Sequence, residues 1–188
     1  MTYNLRYDNA GDKDNSWPLR KEEMVSMIKF YHPDVLGIQE GLYHQVQYLD
    51  SSLVNYDYAG VGRDDGDKKG EFSAIFFNAQ HFKLLKTKTY WLSDTPEKVS
   101  VGWDAAMERI VTFAMLKSLS SKDTLYVFNC HMDHIGKVAR ENSAKLILQI
   151  IDAMNINRNK VIVMGDFNSE PSEPAALFFA QKMDCGYD

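Results

Sequence analysis

Four segments of this chain deliver polar groups at or near the end of short apolar runs. Val161-Ile162-Val163-Met164 leads into Gly165-Asp166-Phe167-Asn168, and Val35-Leu36-Gly37-Ile38 leads into Gln39-Glu40. Leu125-Tyr126-Val127-Phe128-Asn129-Cys130 leads into His131-Met132-Asp133-His134. The opening Met1-Thr2-Tyr3-Asn4-Leu5-Arg6-Tyr7 alternates apolar or aromatic with polar residues, with Asn4 on the polar face. Gly-Asp-Phe-Asn by itself would read as an ordinary turn. Side by side, the four segments would bring together Asn4, Glu40, His131, Asp166 and Asn168.

Those residue types fit one chemistry. A carboxylate with amide or carbonyl oxygens suits a hard cation such as Mg²⁺ or Mn²⁺, which keeps several waters and binds substrate phosphate directly. A histidine and an amide can hydrogen-bond phosphoryl oxygens, and an aspartate can orient or deprotonate water. Together they describe metal-assisted hydrolysis of a phosphoester, with the metal as Lewis acid. Zinc fits less well, since the two cysteines, Cys130 and Cys185, form no paired ligand spacing.

The elements that must hold these groups read as follows. Pro18 opens a helix with Met24, Met27, Ile28 and Tyr31 at helical spacing, closed by Pro33. Leu42, Val46, Leu49 and Leu53 mark a second helix; Ala139, Ser143, Leu146, Ile147, Ile150 and Met154 mark another. Residues 56–63, 71–78, 82–92, 109–118 and 124–132 read as successive strands, and 173–182 as a last helix. The glycine at 165 is expected to turn the chain where its strand stops. Strands and helices do not alternate strictly, and no glycine-rich nucleotide loop is present. Two sheets packed face to face with helices outside, an α+β arrangement, fit this order.

The chain has 188 residues, within the range of a single domain spanning 1–188, and is 45% hydrophobic. Its net charge of −5 argues against a protein that coats nucleic acid and favours small phosphoesters, sugar phosphates or lipid headgroups as substrates over duplex DNA. Lys68, Lys69, Lys83, Lys86 and Lys88 read as solvated faces and strand edges. No apolar run approaches a membrane span and no secretory signal opens the chain, which leaves cytoplasmic and exported locations both open. Residues 94–108 form the longest non-periodic stretch, and Trp103 within it could stack on a substrate base or sugar or cap the core.

Thr2-Tyr3-Asn4-Leu5-Arg6, Gln39-Glu40, the His131 segment and Gly165-Asp166-Phe167-Asn168, in this order, resemble the endonuclease/exonuclease/phosphatase superfamily. Gly62-Arg63-Asp64-Asp65-Gly66 through Gly70-Glu71, and Tyr90 to Pro96, are similar to its bacterial metal-dependent hydrolase branch. The resemblance implies the deoxyribonuclease-I-like fold, a four-layer α/β/β/α sandwich. It implies Glu40 as principal ligand of Mg²⁺ or Mn²⁺ with Asn4 beside it. Asp166 would activate the water, and Asn168 and His131 would hold phosphoryl oxygens. Arg109 and Arg63 would be further phosphate contacts. The family pattern also ends in an Asp-His pair that does not follow residue 168 here, so the sandwich is expected to lack its final strands. Asp133-His134 stands at the wrong place in the order, and His134 is expected to pack or hydrogen-bond near the site. A non-catalytic binding module on the same fold is the alternative reading.

Overall fold

A computed structural model describes residues 1–156, 160–184 and 186; Cys185 lies outside them. The first sheet has the order β1-β2-β4-β3, built from β1 (Thr2–Asn4), β2 (Val35–Gln39), β3 (Tyr56–Ala59) and β4 (Ile75–Asn78). The second has the order β5-β6-β7-β8, from β5 (Phe82–Trp91), β6 (Ile110–Ser118), β7 (Thr124–His131) and β8 (Val161–Asp166). Each sheet is drawn from its own continuous half of the sequence. Helices α1 (Trp17–Tyr31) and α2 (Tyr43–Ser52) belong to the first half, α3 (Lys137–Ala153) and α4 (Pro174–Ala180) to the second.

Alternation along the strands builds four layers. On β2, Leu36 and Ile38 pack outward with Met24, Val25 and Ile28 of α1 and Val46 and Leu49 of α2. On β7, Phe128 and Cys130 pack outward with Ile147 and Ile151 of α3 and Phe179 of α4. Between the sheets, Val35, Ile75 and Phe77 meet Ala114, Leu116 and Val127. The result is the α/β/β/α sandwich, held by apolar burial on three levels.

Several boundaries differ from the sequence expectation for physical reasons. The first strand stops at Asn4, because Arg6 turns into the left-handed region with φ 59°. The strand expected over 56–63 ends at Ala59, where Gly60 takes φ 145°. The strand expected from 71 begins at Ile75, with Phe72 reduced to isolated bridges to Gly41 and Gly62. Gly165 does not end its strand: β8 runs on through Asp166, and the glycine admits a close backbone approach instead. A Cβ there would lie 2.0 Å from the Cys130 carbonyl oxygen, at φ 143°. On α1, Tyr31 is exposed and Val25 takes its place in the core. His32 caps that helix in the left-handed conformation, and Pro33 prevents its continuation.

Candidate active site

Strand direction assembles the site. β1 runs parallel to β2, pairing Asn4 with Gln39, and β7 runs parallel to β8, pairing His131 with Asp166. The C-terminal ends of all four strands therefore open at one edge of the sandwich. The sequence-predicted groups meet there from opposite sheets, rather than along a single sheet.

Asn4 is the link between the halves. Its Nδ2 donates to Glu40 Oε1 and to Asp166 Oδ2, both at 2.9 Å. Its Oδ1 accepts from the Arg6 backbone N–H at 2.9 Å. Glu40 leaves β2 in the left-handed region at φ 60°, a conformation held by its surroundings, and its Oε2 accepts from the Tyr7 N–H. Asn168 is likewise left-handed at φ 46°, which asparagine tolerates. Its backbone N–H donates to Asp166 Oδ1 at 3.1 Å and its side-chain Nδ2 to the Met132 carbonyl at 2.9 Å. Asp166 is thus approached by the Asn4 amide on one oxygen and the Asn168 backbone on the other.

His131 sits deeper and is 7% exposed. Burial, reinforced by the charge of Arg109, drives its pKa down to about 4, so the ring is neutral at neutral pH. Among the described residues its Nδ1 has no hydrogen-bond partner, and it lies 3.8 Å from Glu71 Oε2. Burial pushes the Glu71 carboxyl up, even though Arg63 grips it with two hydrogen bonds of 2.8 and 3.0 Å.

Arg63 and Arg109 line one small hollow with Glu71, Ser73, Ile110 and His131. Both arginines are already engaged. Arg63 holds Glu71, and Arg109 donates through Nε to Asp133 Oδ1 at 3.2 Å and pairs its Nη2 with His134 Nδ1 at 2.8 Å. The Asp133 carboxylate also accepts from the backbone N–H of Ala106, Ile135 and Gly136. Burial opposes the charged form of Asp133, but those bonds outweigh it and hold the carboxyl below the usual range. His134 is therefore a hydrogen-bonding neighbour of the site. Trp103 is half-buried in the 94–108 loop at φ 52° and takes part in none of the polar contacts tying the cluster together among the described residues.

Sequence reasoning missed Glu71 and Asp133 as site groups. Asp133 carried a signal: it lies two residues from His131, so alternation turns both the same way. Glu71 precedes a buried phenylalanine and reaches His131 only through tertiary packing.

Among the described residues no group of three or more His, Cys, Asp or Glu side chains could hold an ion unaided. Glu40 and the Asn4 amide would supply the sparse oxygen set that a strongly hydrated cation such as Mg²⁺, which keeps several of its waters, accepts. The residues fit.

The profile of the Endonuclease/Exonuclease/phosphatase family matches residues 1–184, and the chain belongs to that family. Among solved structures, a mannosyl-6-phosphatase from Bacteroides thetaiotaomicron is 38% identical with a TM-score of 0.93, over 96% of this chain and 69% of that one. An endonuclease/exonuclease/phosphatase from Bacteroides vulgatus is 37% identical with a TM-score of 0.92, over 96% and 69%. An uncharacterised protein of Acanthamoeba polyphaga mimivirus is 28% identical over 163 residues, 82% of this chain and 60% of the viral protein. This chain therefore spans well under the full length of its relatives. No helix among the described residues is long and apolar enough to cross a membrane.

Proposed function

We propose that this chain carries the site of a divalent-metal-dependent phosphoester hydrolase, acting by attack of water on phosphorus. The observation that carries the reading is the Asn4 amide shared between Glu40 and Asp166 at 2.9 Å each, which draws oxygen donors of both sheets into one cluster. Glu40 and Asn4 would hold Mg²⁺ or Mn²⁺, which when bound supplies Lewis acidity toward the phosphoryl group. Asp166, steadied by Asn4 and the Asn168 N–H, orients the nucleophilic water and takes its proton. Asn168 and the neutral His131 donate to phosphoryl oxygens as charge builds on them. Arg63 and Arg109 act as fixed positive charges behind the phosphate, and Trp103 of the 94–108 loop would stack on the rest of the substrate.

A small phosphoester is the favoured substrate class. Net charge is −5, and the Bacteroides thetaiotaomicron relative is a mannosyl-6-phosphatase. The test is hydrolysis of mannose 6-phosphate, 4-nitrophenyl phosphate, bis(4-nitrophenyl) phosphate and a short oligonucleotide, with Mn²⁺ or Mg²⁺ added or withheld. Metal-dependent turnover that Glu40→Ala abolishes supports the reading, and the preferred ester assigns the class. Turnover indifferent to metal or to Glu40→Ala overturns it.

A further inference from the structure

Directly beneath the site, the layer between the sheets changes from apolar to polar. Deeper in, it is filled by Val35, Ile75, Phe77, Leu116 and Val127. One level below the site stands Asn129, wholly buried, on the same face of β7 as His131. Its Nδ2 donates across the sandwich to the carbonyls of Ile38 at 2.8 Å and Ala74 at 2.9 Å. Its Oδ1 accepts from Gln39 Nε2 at 2.7 Å, and that Nε2 also reaches Thr2 Oγ1 at 3.1 Å. Two of these residues lie close to site residues in sequence. Thr2 shares its strand face with Asn4, and Gln39 immediately precedes Glu40.

The backbone opposite makes room for this amide. A Cβ on Gly37 would lie 2.7 Å from Asn129 Oδ1 and 2.9 Å from Met164 Cε. An apolar pair at Gly37 and Asn129 would have filled the same volume. Apolar contact is non-directional and tolerates a slide between the sheets. An amide with three fixed partners has one arrangement, and a buried polar network that is fully paired specifies it.

We infer that Asn129 is a positioning residue: through Gln39, Ile38 and Ala74 it fixes the spacing at which Asn4 and Glu40 of one sheet face His131 and Asp166 of the other. The catalytic consequence rests on the phosphoesterase reading above; the geometric one does not.

The test perturbs the contact in opposite senses. Asn129→Ala removes the amide, and Gly37→Ala pushes a Cβ into it. Gly37→Ala/Asn129→Ala refills much of the volume without restoring the bonds. In all three, kcat for the ester that the wild type hydrolyses should fall about 10–100-fold, with KM and calorimetric Mn²⁺ affinity within about threefold, because Glu40 and Asn4 stay together on one sheet. Crystal structures of the variants should show the Asn4–Asp166 hydrogen bond opened. Recovery of wild-type kcat by the double variant would mean packing alone matters and would overturn the inference. Should the wild type show no metal-dependent turnover, the hydrolase reading fails by itself. The crystal structures then decide the positioning claim, and an Asn4–Asp166 bond retained in Asn129→Ala sinks it. If Asn129→Ala does not fold, Asn129→Ser, which keeps one hydrogen bond, and Gly37→Ala carry the same comparison.

Discussion

Asn4 and Asp166 are 162 residues apart in the chain and 2.9 Å apart in space. The bond crosses from the first sheet to the second, so the proposed water-activating carboxylate is held by one of the proposed metal ligands. Asp166→Asn removes the base at nearly unchanged size, although its NH2 group cannot accept one of the two hydrogen bonds that the carboxylate takes. We expect kcat to drop about 10²–10⁴-fold with Mn²⁺ affinity little changed, measured by steady-state kinetics and calorimetry side by side. Equal loss of metal affinity would make Asp166 a ligand instead.

Metal binding should stabilise the fold through Glu40. Mn²⁺ at about a hundred times its Kd is expected to add about 2.7 kcal/mol to unfolding, and Glu40→Ala should remove most of that gain. Thermal unfolding with and without Mn²⁺, and with EDTA as control, reads it directly.

The buried imidazole gives the acid side of the stability profile a slope. His131 has a folded-state pKa of about 4 against an ordinary 6.5, so on acidification the unfolded chain takes up this proton first. Stability from this group is complete above about pH 6.5 and is lost as pH falls toward 4, at up to about 1.4 kcal/mol per pH unit. Glu71 works in the other direction, because burial raises its carboxyl: its contribution is lost as pH rises through its folded-state pKa. His131→Asn should therefore flatten the loss between pH 6.5 and 4 in urea titrations. An unchanged slope in that variant would assign the loss to another group.

Asn168 separates backbone from side-chain roles. Asn168→Gly keeps the left-handed turn at φ 46° and loses the bond from Nδ2 to the Met132 carbonyl. Stability should fall by about 1 kcal/mol or less, while kcat should fall about 10²–10³-fold if the amide donates to the transition state. Parallel loss of stability and rate would reduce the residue to a structural one.

Gly165→Ala should be among the most damaging single changes in the second sheet. The added Cβ meets the Cys130 carbonyl oxygen at 2.0 Å, and the backbone at φ 143° disfavours any side chain. A loss of about 3 kcal/mol or more is expected from chemical denaturation.

The fold and much of the cluster were legible because both depend on local pattern. Apolar runs marked the strands, and alternation turned Asn4, His131 and Asp166 inward, whereas Glu40 is redirected by its left-handed backbone at φ 60°. Less legible was anything fixed by contact between the sheets. The sequence suggests the two arginines as phosphate contacts, although a lone arginine is usually a surface charge or an ion-pair partner; Glu71 and Asp133 engage them, and neither pairing has a periodicity to betray it. Asn129 did leave a trace, a lone amide inside an otherwise apolar strand. Its meaning depended on Gly37, 92 positions earlier in the numbering, where the sequence showed only a small residue.

Because the first sheet closes at Asn78 and the second opens at Phe82, the seam between them coincides with a single short connection. Cutting the polypeptide at Ala79–His81 would separate it into two pieces, each holding half of the polar cluster and neither able to complete it. On the hydrolase reading, such a pair would form a complementation reporter, in which turnover regained on mixing measures the docking of one half onto the other.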